Sequence, residues 1–336
     1  MLISTLITFA LLAQADGWTP AASPTKASLR GLSAVSENTA WASGANASAM
    51  RTLNGGASWQ SFTIAGSEGL DFRDVHAFDE TSAVLMSAGP GSKSRIYRTQ
   101  DSGTHWTLTH QNKLEKGFFD SMAFWDRKRG ILVGDPVDGR FMILITKDGG
   151  KSWNPVSPTP PANEGEGAFA ASGTAITVGK GGRAWFGTGG EKGGRVFLSK
   201  DWGQTWQVVQ TPIRHDSASA GIFSVAFRAD GLHGFAVGGD YRKTSEVAGT
   251  LAVTADGGRT WTSATGLGGF RSAIAVSGKV TVLATGPDGS ESSRDGGKTW
   301  TLMTAPGFHA LSLAGRKAWV SGSEGRIATT SVRVEN

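Results

Sequence analysis

"TKDGGKSW", residues 146–153, sets an acid two positions after a threonine, then a glycine pair, then a tryptophan five positions after the acid. The same order recurs as TLNGGASW at 52–59, TQDSGTHW at 99–106, SKDWGQTW at 199–206, TADGGRTW at 254–261 and SRDGGKTW at 293–300. All six copies fit Ser/Thr-x-Asp-x-Gly-x-x-Trp, with Asn54 in place of the acid in the first, and their tryptophans fall 39 to 55 residues apart. Periods of that size mark arrays of supersecondary units, none of which can bury its apolar face alone.

Working outward from each turn, an apolar, alternating stretch precedes it: LRGLSAV from 29, FRDVHAF from 72, FDSMAFW from 119, GIFSVAF from 221, FRSAIAV from 270 and FHALSLA from 308. These are expected as inner strands. Second strands ending at glycine follow, such as TAWASGA, RGILVGD and VTVLATG, then third strands such as FMILITKD and RVFLSKD. The tryptophan of the repeat opens a fourth. Four strands per period without an amphipathic helix predict the blades of an all-β propeller.

Six turns mark six blades, and the segment from Phe308 to Val334 supplies three more strands but no seventh turn. The missing strand is expected at the other end of the chain, in DGWTPAAS at 16–23, so that the last blade is closed by the N-terminal strand and no sheet edge stays open. A seven-bladed β-propeller over 16–336 allots about 46 residues per blade, within the range of propeller repeats.

The residues of the repeated turn have mechanical roles. Gly103 and Gly150 are expected at positive φ, and the acids accept backbone N–H groups of their own hairpin. Asn54, Asp101, Asp148, Asp201, Asp256 and Asp295 are therefore read as turn-holding groups, and Trp59, Trp106, Trp153, Trp206, Trp261 and Trp300 as wedges between blades. Six equivalent copies around a ring do not describe a catalytic cluster.

Composition narrows the function classes. The chain has 336 residues, 48 of them glycine, 12 tryptophan and none cysteine, so stability comes from packing, and thiolate chemistry is excluded. A net charge of +5 without a basic stripe or a recognisable module argues against nucleic acid. Six scattered histidines show no metal-ligand spacing, and neither a metal nor a cofactor is expected. The start of the chain carries an apolar run from Leu2 to Leu12 followed by Ala13-Gln14-Ala15, the pattern of a cleaved signal peptide over 1–15. A secreted or periplasmic protein is expected, without a membrane span in its mature form.

The repeated turn resembles the Asp-box or BNR repeat of sialidases, xyloglucan-degrading enzymes, sorting receptors and the seven-bladed photosystem II stability/assembly factors. The resemblance covers nearly all of the expected mature chain. It is nearest to the assembly-factor-like propellers, through the blade count, the single exported domain and the cadence of the turns. It specifies architecture rather than a particular chemistry, and the expected protein is a rigid binding or assembly platform, a monomer.

Ligands of propellers gather where the inner strands begin and where second strands pass to third, opposite the repeated turns. There the sequence offers Arg30, Arg73, Arg271 and His309, with Asp74 and Asp120 beside them, then Asp135 and Arg140 of GDPVDGR, and Asp240, Tyr241 and Arg242 of GGDYRK. Insertions at 158 (PTPPANEGEG) and 211 (TPIRHDSASAG) are expected to overhang this rim. Converging arginines would recognise a carboxylate or phosphate, unless rim acids pair with them. The expected partner is a protein or peptide, with an acidic or carbohydrate ligand in view. The alternative is a sialidase-like glycoside hydrolase, with Arg30, Arg73 and Arg271 as an arginine triad, Tyr241 as nucleophile and Glu166 as its base. Against that resemblance, the sialidase arginine motif is missing, those enzymes have six blades, and the chain holds only two tyrosines.

Overall fold

The computed structural model describes residues 17–303 and 306–333. The expected signal peptide lies outside the described residues. Within them, seven four-stranded antiparallel sheets follow one another along the chain. Blades I, II and III begin with the inner strands Leu29–Ala34, Phe72–Ala77 and Phe119–Phe124; blades IV to VII begin with Ile176–Gly179, Ala220–Phe227, Ala273–Ser277 and Ala310–Ala314. The fourth strand of blade VII is Thr19–Ala21, paired with Ile327–Ser331, so the ring closes with the N-terminal strand as the sequence predicts. No helix among the described residues is long and apolar enough to cross a membrane.

Seven apolar clusters hold the ring, one at each junction of neighbouring blades. Trp18, just ahead of the closing strand, packs edge-on against Phe308 at 5.7 Å and joins the cluster between blades VI and VII. The repeat tryptophans enter the same clusters: Trp106 meets Trp41 of the preceding blade at 6.1 Å, and Trp59 meets Trp319 at 6.1 Å across the closure.

The turn at 146–153 works as a clasp. Thr146 Oγ1 donates to Asp148 Oδ1 and accepts from the amide of Gly150, while Asp148 Oδ1 accepts from the amide of Ser152 at 3.0 Å. Gly103 and Gly150 have φ of 85° and 83°. In each of the six copies the residue after the acid, or after Asn54, donates its N–H to the hairpin between the first and second strands of the same blade, as Gly149 does to Lys128 at 2.8 Å. Trp202, inside the fourth copy of the turn, is half-buried, edge-on to Trp125 at 5.3 Å and beneath the guanidinium of Arg129 at 3.9 Å.

The inner strand of blade IV was not identified in the sequence because it is only four residues, ITVG, and follows a stretch of some length with no repeat pattern. Within residues 163–175 the chain turns inward, and 168–173 cross the mouth of the central channel against blades I, II, III and VI.

Candidate functional site

Inner strands of four blades share an irregularity near their start, at the second residue in blades I, II and III and at the fourth in blade V. The register with the second strand shifts between Leu29 and Gly31, Phe72 and Asp74, Phe119 and Ser121, and Ile222 and Ser224. A bulge leaves one residue out of the ladder and re-aims its side chain. The four residues so released, Arg30, Arg73, Asp120 and Phe223, all line one pocket of about 520 Å³ at the channel mouth. His309 holds the corresponding place in blade VII and lines it too. A sequence signal for this exists, the order apolar-x-small in LRG, FRD, FDS, IFS and FHA.

The crossing segment forms the pocket's remaining floor and one wall. Arg73 Nη1 donates to the carbonyl of Ala170 at 3.0 Å and Arg30 Nη1 to that of Ala171 at 3.2 Å. The amide of Ala168 donates to Asp135 Oδ1 at 3.0 Å, and Ser172 Oγ to the carbonyl of Ser272 at 2.7 Å. One short stretch thus touches blades I, II, III and VI. Gly173 makes the crossing possible: at φ +71°, a Cβ there would lie 2.4 Å from Asp74 Oδ1. Phe169 stacks on Phe223, and Phe223 meets Phe270 edge-on at 4.6 Å, with Tyr241 at the open side.

The electrostatics divide the mouth. Among the described residues Arg30 has no carboxylate partner within ion-pair distance; burial and then the neighbouring Arg73 lower its pKa, against the opposing charge of Asp71. Arg73 pairs through Nε with Asp71 at 2.7 Å. His309 is driven to about 3 by burial and then by Arg30, Arg326 and Arg73, so it is a neutral wall whose Nε2 meets Ser323 Oγ at 2.8 Å. On the blade III side, burial raises Asp135 to about 6 and, with the charge of Asp135 added, raises Asp120 well above the usual carboxylate range. Arg73 opposes that rise in Asp120. Going around the ring, cations of blades I and II give way to acids of blade III and then to the aromatic wall of blades IV to VI.

Other residues named from sequence stand elsewhere. Arg271 corresponds in position to Arg30 and Arg73, but Glu291 of its own blade captures it: Nε donates to Oε2 at 2.5 Å, and both side chains are 3% exposed. Phe270 and Ser272 line the pocket in its place. Asp74 is buried beneath the crossing segment, accepts the amide of Met122 at 2.7 Å, and is raised by burial to about 8. Arg140 is exposed and holds the carbonyl of Thr159, away from the pocket. Asp240 is buried and caps the amide of Arg242, whose guanidinium lies over Tyr241 at 5.8 Å. Glu166 is enclosed: Arg195 binds both its oxygens, Thr188 donates to Oε1 and the amide of Asn163 to Oε2. It has no oxygen left to take a proton from Tyr241. Phe118, Phe169, Phe223 and Phe270 were not singled out from sequence; Phe223 alone carried a signal, as the bulge residue of IFS. Among the described residues no group of three or more His, Cys, Asp or Glu is arranged to hold a metal ion.

No family model matches the chain, and no curated protein matches it. Solved structures do. YCF48 bound to D1 peptide superposes with a TM-score of 0.68 at 18% identity, covering 95% of this chain and 98% of that one. YCF48 from Cyanidioschyzon merolae gives 0.66 at 16% identity, covering 94% and 99%. An ancestral GH74 enzyme gives 0.59 at 16% identity, where this chain is covered to 96% but spans 40% of the enzyme. At these identities the likeness is one of fold.

Proposed function

We propose that this propeller is an exported binding module that grips a protein or peptide partner at the channel mouth, through a carboxylate seated on Arg30 and Arg73. The observation that carries the reading is the pair of bulged arginines on adjacent blades, one without an acid partner, opening into a pocket with an aromatic wall. Guanidinium groups match carboxylates in forked geometry, and the carbonyls of Ala170 and Ala171 hold both in place without cancelling their charge. The flanking ring of Phe169, Phe223 and Phe270 offers an apolar side chain a place beside its carboxylate.

Three further points support it. The likeness of fold extends to a propeller solved with a peptide bound. The turns resemble the Asp-box, a scaffold element of binding propellers and hydrolases alike, and the leader at 1–15 has the pattern of an export signal. The hydrolase alternative loses its base to the Glu166–Arg195 pair and its third arginine to Glu291. The test is affinity capture from the native host with the wild-type protein and with Arg30→Gln/Arg73→Gln. A partner that is retained by the first, lost by the second, and binds the purified wild type in titration supports the reading; equal retention by both overturns it.

A further inference from the structure

Asp120 is hard to account for as a structural residue. It is 1% exposed, lies at the floor of the pocket, and accepts the amides of Ala170 and Asp135. Its Oδ2 has no hydrogen-bond partner among the described residues. A buried carboxyl oxygen without a donor is costly, of the order of 1–3 kcal/mol even when neutral, and packing alone gives no reason to keep it. Asp135 lines the same floor and is near enough for its charge to raise the pKa of Asp120; among the described residues the only donor to its side chain is the amide of Ala168.

We infer that Asp120 and Asp135 receive the ammonium group of a ligand whose carboxylate sits on Arg30 and Arg73, so that the pocket takes a zwitterion: a short peptide or an amino acid with an apolar side chain. This rests on the reading of Arg30 and Arg73 given above. An ammonium group brings three donors to the one unfilled oxygen and to the neighbouring carboxyl. Among the described residues no third His, Cys, Asp or Glu joins the two acids in a metal-holding group, which suits an amine rather than a metal ion. Phe118 lines the pocket together with the acids, and the stacked Phe169 and Phe223 receive the apolar side chain. A pocket of about 520 Å³ accommodates a dipeptide and leaves little room for a folded domain. Recognition of a larger partner would then run through one end of its chain.

The experiment is a calorimetric titration of the purified protein at pH 8 with the dipeptide Ala-Phe in four forms: free, N-acetylated, C-amidated and blocked at both ends. The free dipeptide is expected to bind at least about tenfold tighter than either singly blocked form, a difference that one charge-assisted contact supplies. In Asp120→Asn, and separately in Asp135→Asn, the free and N-acetylated forms are expected to converge, while the N-acetylated form binds as it does to the wild type. If the N-acetylated form equals the free one in the wild type, the ammonium site is wrong and the carboxylate site stands. If the amidated form equals the free one, the carboxylate site is wrong. Absence of binding by all four overturns both. Unchanged thermal unfolding of the asparagine variants guards against reading misfolding as lost affinity.

Discussion

Phe169 lies flat against Phe223, ring centroids 3.9 Å apart and planes 7° from parallel. One ring belongs to the segment that crosses the channel mouth and the other to a bulge of blade V, so the stack welds a non-repeating piece of chain to the repeating frame. Phe169→Ala removes the stack and the pocket's apolar wall together. A loss of about 1–3 kcal/mol is expected for a half-buried ring, read by denaturant unfolding. Protease sensitivity is expected to rise within 158–175 and not in the blades, read by mass spectrometry of limited digests.

Arg271 and Glu291 form an ion pair with both side chains 3% exposed, and this separates Arg271 from the arginines of the pocket. Arg271→Gln leaves a buried carboxylate without its cation, at a cost of about 3–5 kcal/mol. Arg271→Met together with Glu291→Leu is expected to recover most of that, because no uncompensated charge remains. Thermal unfolding of the single and double variants checks it; a single variant as stable as the wild type would mean the pair is open in solution.

Asp74 gives the pH dependence its sign. Its folded pKa, about 8, lies above the ordinary carboxylate value, so the folded state keeps a proton that the unfolded chain releases. The stability this contributes is complete below about pH 4 and is lost as pH rises towards 8, at no more than about 1.4 kcal/mol per pH unit. Asp74→Asn, which can still accept the amide of Met122, is expected to remove that slope. Urea unfolding at pH 5 and pH 8 reads it: the variant should gain on the wild type at the higher pH.

Ring closure depends on a strand of three residues, and Trp18 secures it. Only 9% exposed and edge-on to Phe308, it is the largest apolar group among the described residues of the N-terminal segment. Trp18→Ala is expected to cost about 3–5 kcal/mol and to raise hydrogen exchange in Ile327–Ser331 before any other third strand.

The frame of the molecule was legible because it repeats. Asp148 and its five counterparts announce turns, the apolar runs ahead of them announce inner strands, and the shortfall at the C-terminal end points to Thr19–Ala21. Part of the site was legible for the same reason, since Arg30, Arg73, Asp120 and His309 hold equivalent positions in successive blades. What was not legible breaks the repeat. Arg271 occupies an equivalent position, yet Glu291, twenty residues later, draws its guanidinium away, a tertiary pairing without local signature. Glu166 looked available among the glycines of its loop, but Arg195 and Thr188 enclose it. Residues 163–175 have no counterpart in other blades, so nothing in the sequence showed that they turn into the mouth, or that Phe169 would meet Phe223 there.

The central claim is that Arg30 and Arg73 hold a ligand carboxylate, and the affinity of N-acetylated Ala-Phe for wild type and Arg73→Gln tests it most directly. The account predicts binding by the wild type and at least about tenfold weaker binding by the variant, with a melting temperature changed by less than about 3 °C. Equal affinity for the two proteins, in a variant that remains folded, would contradict it.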